Sequence, residues 1–222
     1  MRWSLLFLVV ALFTACSGVR DSQVSTNPDG CERRYTLPPV AHLETDTMLG
    51  SATYLGNGIW LTNRHVLEDS TDVRLDRARF RIDHIDEGEG TGFENDWVVF
   101  KSAYRLPGNY PVDFEVSLPE GAELLIMGYP VNGQSRYKGM TLSARVSKTP
   151  EGIEQPENII VLDPGAAGVQ NNDGLSGSPL LWLNPKTKQW TIVGIYCGSV
   201  TYNQPMWPWG SKETQNYIGV RP

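Results

Sequence analysis

Hydrophobic and polar residues alternate in short runs along most of this chain, and Gly, Pro, Asn and Asp bound the runs. Period-two alternation over about four to eight residues marks a half-buried β-strand. The pattern predicts strands at 50–55, 58–62, 73–82, 97–101, 124–128, 141–147, 159–162, 179–183 and 190–196. Asn57-Gly58, directly after Tyr54-Leu55, predicts a tight hairpin, since both residues tolerate positive φ. A second hairpin is expected between Asn184-Pro185 and Gln189. No long stretch sustains a 3.6-residue period, and only 212–218 reads as a short terminal helix. Many short strands with regular turns predict an all-β sandwich or barrel.

The N-terminus departs from this pattern. Residues 1–15 read MRWSLLFLVVALFTA, with Arg2 ahead of an apolar run from Leu5 to Phe13. A bilayer span needs about 20 apolar residues, so the run is too short to cross and reads as a secretory signal. The stretch Leu12-Phe13-Thr14-Ala15-Cys16 resembles a bacterial lipoprotein signal, in which the cysteine becomes the lipidated first residue. The alternative is a cut near Ala15 that leaves a secreted protein. Residues 16–44 begin rich in Ser, Asn, Asp and Gly, and are expected to form a flexible tether or N-terminal arm ahead of a domain spanning 45–222. The expected setting is the cell envelope, on its periplasmic side, or the exterior.

Composition narrows the function classes. The 222 residues carry 19 Lys+Arg against 25 Asp+Glu, a net charge of −6 without basic runs, which argues against gripping nucleic-acid phosphates. Removing residues 1–15 takes away only Arg2 and leaves the remainder more acidic still. A hydrophobic content of 40% argues against disorder. Three cysteines do not make a disulfide-dense scaffold. The sequence has no His-Glu-x-x-His, no Cys-x-x-Cys and no phosphate-cradling glycine loop, so neither metal nor cofactor is expected. Any histidine chemistry must use His42, His65 or His84.

Three segments carry candidate chemistry. In Ile59-Trp60-Leu61-Thr62-Asn63-Arg64-His65 an apolar strand ends, and His65 follows on what should be a short helical turn facing a cleft. In Asn95-Asp96-Trp97-Val98-Val99 an aspartate opens an apolar strand; a partly buried carboxylate needs a donor, which a ring N–H of His65 can supply. In Asp173-Gly174-Leu175-Ser176-Gly177-Ser178-Pro179 small residues surround Ser176 and let a carbonyl approach closely. Asp83, Asp86 and Asp113 compete with Asp96, and Ser178 competes with Ser176. His42 and His84 read as solvated bystanders.

In the order His, Asp, Ser, these motifs resemble a trypsin-like (chymotrypsin-fold) serine peptidase of the compact bacterial branch. Met127-Gly128-Tyr129-Pro130 is similar to a strand-end motif of that branch. The resemblance implies two six-stranded antiparallel barrels around a central cleft, the first at about 45–110 and the second at about 111–222, with the boundary near 101–116. It implies Ser176 as nucleophile, His65 as base, Asp96 as orienter, and the N–H groups of Gly174 and Ser176 as the oxyanion site. The partner would be a peptide or protein substrate. The alternative is a catalytically silent peptide-binding lipoprotein on the same fold.

The sequence also departs from the family. Leu175 stands where digestive members carry the aspartate that pairs with a new N-terminus, so no zymogen-type activation is expected. The family pattern puts the base of the side-chain pocket at Gln170 and its walls at Tyr196, Cys197 and Gly198, a neutral pocket. With Cys16 lipidated, Cys31 and Cys197 remain. They either form a disulfide that clamps the arm beside the pocket wall, or Cys197 is a buried free thiol. The Met206-Trp207-Pro208-Trp209 stretch is expected to seal a barrel end, the alternative being that it lines a substrate pocket.

Overall fold

A computed structural model describes residues 24–26, 32–34, 40–108, 110–131, 139–148, 156–163, 173–206 and 210–222. The expected signal peptide, Cys16, Cys31, Gln170 and Trp207 to Trp209 lie outside the described residues. The chain divides into two units, Met1–Leu37 and Pro38–Pro222. In the first, β1 (Val24–Thr26) and β2 (Glu32–Arg34) pair as a short antiparallel ribbon.

The second unit holds two closed six-stranded barrels. The first comprises β3 (Val40–Glu44), β4 (Leu49–Gly56), β5 (Ile59–Thr62), β6 (Asp72–Leu75), β7 (Ala78–Glu87) and β8 (Val98–Ser102), in spatial order β3-β4-β5-β8-β7-β6. The other comprises β9 (Glu123–Gly128), β10 (Met140–Val146), β11 (Ile159–Asp163), β12 (Pro179–Leu183), β13 (Trp190–Met206) and β14 (Gly210–Val220), in order β10-β11-β14-β13-β12-β9. Every neighbouring pair is antiparallel. Closure leaves neither sheet with an open edge. Segment 103–122 carries the chain across, and Val112 pairs with Ile192 on the way.

Local chemistry explains the turns. Asn57 and Gly58 take φ of 52° and 80°, and the expected hairpin joins β4 to β5. The single strand expected at 73–82 is two, because Asp76 and Arg77 take φ of 48° and 80° and fold the chain back into the β6–β7 hairpin. Asn184 Oδ1 accepts from the N–H groups of Lys186 and Thr187 at 2.9 and 3.3 Å, and so builds the β12–β13 turn.

Three expectations are corrected. Residues 212–218 form no helix; they belong to β14, whose Tyr217 and Ile218 pair with β11 on one side and β13 on the other. Barrel closure overrides the weak helical pattern. The first barrel begins at Val40, inside the stretch assigned to the arm, because Val40, Ala41 and Leu43 face the core. His42 on that strand is buried, edge-on to Tyr129 at 5.9 Å, rather than solvated.

Each barrel has its own core. Trp60, fully buried, stacks on Phe100 and Tyr104 in the first; Tyr196 and Tyr217 meet edge-to-face in the second. Between them a third apolar cluster joins Leu61 of β5 to Ile159, Val161, Ile195, Ile218 and Val220. The two barrels therefore pack on apolar surface.

Candidate active site

The strand register brings His65 and Asp96 together. β5 and β8 run antiparallel with Thr62 opposite Val98. The residues just beyond β5 therefore lie beside those just before β8. His65 sits on the single-turn helix α1 (Arg64–Leu67), and Asp96 follows a 3-10 turn over Phe93–Asn95. Asn63 Nδ2 donates to the Asp96 carbonyl at 2.6 Å and fixes the approach. The Arg64 guanidinium donates to the carbonyls of Gly88 and Gly90, and so ties the segment before Asp96 to the segment holding His65.

Asp96 is gripped on both oxygens. Its Oδ1 accepts the His65 backbone N–H at 2.9 Å, and its Oδ2 lies 2.5 Å from His65 Nδ1. Oδ2 also accepts the Cys197 thiol at 2.9 Å. Burial alone would push the Asp96 carboxyl up, but the bonds from His65 and Cys197, with the charge of His65, outweigh it and hold the carboxyl below its ordinary value. The Cys197 thiol moves the other way: burial, the Asp96 charge and the bond to it all push it up, so it remains a protonated donor. Donor atoms of His65, Asp96 and Cys197 lie within 4.8 Å of one another, a set able to ligate a metal, yet each already takes part in a hydrogen bond.

Cys31, its expected disulfide partner, lies outside the described residues, and Cys197 is a buried free thiol. It also links the pair to Ser176, whose Oγ donates to the Cys197 carbonyl at 3.4 Å. From the sequence Cys197 reads as pocket wall, as half of a disulfide or as a buried free thiol. Its place as donor to Asp96 had no sequence signal, since strand β13 reaches the first barrel only through the folded interface.

Ser176 lies in the turn before β12, half exposed, and Ser178 beside it is fully buried. Gly174 takes φ of 85°. Each carbonyl from Asp173 to Gly177 accepts a bond: from Val131 N–H at 2.6 Å, Ser51 Oγ at 2.9 Å, Ser178 N–H at 2.9 Å, Ser51 N–H at 2.8 Å and Thr53 Oγ1 at 2.9 Å. The N–H groups of Gly174 and Ser176 have no protein acceptor among the described residues. Tyr196 is buried in the second core, so of the expected pocket walls Gly198 alone presents appreciable surface. His84 is exposed on β7, its Nε2 3.2 Å from the Ser70 carbonyl.

A cleft of about 850 Å³ opens beside the His65–Asp96 pair. Glu68, Asp69 and Glu87 line it, with the exposed ring of Phe93. With Asp96 these make four carboxylates against the one guanidinium of Arg64, so the cleft is net negative.

No family model and no curated protein matches the chain. Solved structures of similar fold do. The Rv3671c protease of M. tuberculosis, in an inactive form, is 18% identical with a TM-score of 0.55, over 83% of this chain and 84% of that one. The serine endoprotease from Yersinia pestis is 21% identical with a TM-score of 0.53, over 80% of this chain and 58% of that one. The HtrA-type protease AlgW is 18% identical with a TM-score of 0.54, over 83% of this chain and 56% of that one. The chain thus spans little more than half the length of the last two. At these identities the likeness establishes architecture: the chain has the two-barrel fold of the trypsin-like serine proteases.

Proposed function

We propose that the chain is a serine endopeptidase that cleaves peptide bonds through an acyl-enzyme, with Ser176 as nucleophile, His65 as general base and Asp96 as orienter. The supporting observation is the bridge through Cys197. Its thiol meets the oxygen of Asp96 that His65 also meets, while its carbonyl receives the Ser176 hydroxyl. Cys197 thereby joins the Asp96–His65 pair to Ser176 by hydrogen bonds.

In this reading Ser176 Oγ leaves the Cys197 carbonyl and turns toward Nε2 of His65. His65 takes the proton as Oγ attacks the carbonyl carbon, and later gives it to the leaving amine. Asp96 keeps the Nδ1–H of the imidazole pointed away from Ser176 and stabilises the imidazolium. The N–H groups of Gly174 and Ser176 receive the negative oxygen; one such donor is worth about 10²–10³ in rate. Water then hydrolyses the ester by the reverse roles. The negative cleft favours substrates with Lys or Arg near the cut, which peptide-library profiling reads directly. Residues 1–15 would direct export, with Cys16 carrying a lipid that anchors the domain at the envelope; Cys16→Ala should then leave the membrane fraction.

The silent-binder reading draws on one observation, that Ser176 Oγ bonds Cys197 rather than His65. A fluorophosphonate probe separates the two. Labelling of the wild type that vanishes in Ser176→Ala supports the enzyme; a folded wild type that takes no label refutes it.

A further inference from the structure

Ser51 sits on β4 of the first barrel, fully buried, and its polar groups face the serine turn of the second barrel. Its N–H donates to the Ser176 carbonyl at 2.8 Å, and its Oγ donates to the Gly174 carbonyl at 2.9 Å. The same Oγ accepts the Tyr129 N–H at 3.1 Å, and its carbonyl accepts Thr62 Oγ1 at 2.8 Å. A hydroxyl has one proton, so with Tyr129 donating to it that proton must go to Gly174.

The consequence follows from peptide geometry. A planar trans peptide points its N–H opposite its C=O, so a carbonyl held on one side aims the N–H on the other. Val131 holds the Asp173 carbonyl and Ser178 holds the Leu175 carbonyl. These two bonds aim the N–H groups of Gly174 and Ser176. Ser51 holds the carbonyls that follow each of them, Gly174 and Ser176. Without Ser51 the two aimed peptides would be joined by free torsions, and Gly174, with φ of 85°, is the residue least able to resist rotation.

We infer that Ser51 is a positioning residue: its hydroxyl and N–H lock the serine turn so that the Gly174 and Ser176 N–H groups stay directed at the oxygen that gains charge. This rests on the peptidase reading. Ser51 touches no substrate; it acts through the peptides it holds. Pre-aimed donors matter because they need no reorganisation as the charge develops.

The test compares Ser51→Ala, Ser51→Cys and Thr53→Val in the full chain. Thr53 Oγ1 holds the Gly177 carbonyl, beyond the oxyanion peptides, and serves as the structural comparator. Expected for Ser51→Ala is a kcat fall of about tenfold or more with KM within about twofold, and a parallel loss of affinity for a peptide boronate. Ser51→Cys, a weaker donor of similar shape, should fall between, and it decides the matter should Ser51→Ala not fold. Amide exchange of Val131 and Ser178, whose N–H groups hold the Asp173 and Leu175 carbonyls, should quicken in the Ser51 variants and stay unchanged in Thr53→Val. Unchanged kcat and unchanged exchange in a folded Ser51 variant overturn the inference. A wild type that neither cleaves peptides nor takes the fluorophosphonate label refutes the peptidase reading instead, and the exchange rates still decide whether Ser51 holds the turn.

Discussion

Cys197→Ala should destabilise the chain more at neutral pH than in acid. The thiol is buried, packs in the interbarrel cluster and donates to Asp96 Oδ2 at 2.9 Å. A hydrogen bond to a charged group is worth about 1.5–3 kcal/mol, and a thiol, as a weak donor, belongs near about 1.5. Removing the buried sulfur adds about 1 kcal/mol of lost packing. The sum is about 2.5 kcal/mol while Asp96 is charged. Because the folded Asp96 carboxyl lies below its ordinary value, its contribution is complete above the unfolded value of about 3.9 and is lost as pH falls through the folded value. Below that point the hydrogen-bond share disappears, and the penalty should shrink to about 1 kcal/mol of packing. Urea unfolding at neutral pH and again below the folded value measures both. Cys197→Ser retains a donor, so its penalty should be smaller than that of alanine at neutral pH. Equal penalties at both pH values, or a serine variant as damaged as alanine, would refute the reasoning.

Other outcomes follow from the same contacts. Gly177→Ala should cost over about 3 kcal/mol in urea unfolding, because φ is +82° and a Cβ would come within 2.0 Å of the Ser51 carbonyl and 2.3 Å of Thr62 Oγ1. Gly121→Ala is the control: φ is +77° but nothing lies within 4 Å, so only the positive-φ penalty of about 1–2 kcal/mol applies. Iodoacetamide should leave Cys197 unmodified in the folded chain and react once it is unfolded, by mass spectrometry, since burial and Asp96 both oppose the thiolate. Trp60→Ala should cost about 3–5 kcal/mol, measured by denaturant melts, for emptying the centre of the first core.

Much of the barrel architecture could be read from alternation and turn chemistry, because both are local. Asn57-Gly58 announced its hairpin; Asp76-Arg77 did not, since an arginine at φ of 80° is imposed by the pairing of Leu75 with Ala78, not by its own preference. β14 was missed because Tyr217 and Ile218 lie between two strands and are buried, so no polar-apolar alternation remains. His65 and Asp96 were legible because strand ends concentrate polar residues beside apolar runs. The roles of Ser51 and Cys197 were not: one is a serine in an apolar strand, the other a lone cysteine. Each gains its partners only when the two barrels meet.

That distinction has a physical consequence. The His65–Asp96 pair is internal to the first barrel, set by the β5–β8 register; the second barrel adds the Cys197 thiol and Asn158 Nδ2, which donates to the Glu94 carbonyl at 2.6 Å. The serine turn belongs to the second barrel but hangs on the first, through Ser51 and Thr53. Parting the barrels would therefore leave the His65–Asp96 bond largely intact while freeing the carbonyls of Gly174, Ser176 and Gly177. Conditions that loosen the interface short of unfolding, such as low urea, should thus abolish fluorophosphonate labelling of Ser176 before the first barrel loses its structure. Trp60, buried in the core of that barrel, reports it by fluorescence in a chain whose other tryptophans are replaced by phenylalanine. Labelling and Trp60 signal lost together would mean that the barrels unfold as one unit, and that the hydrogen bonds across the interface are no weaker than the cores they join.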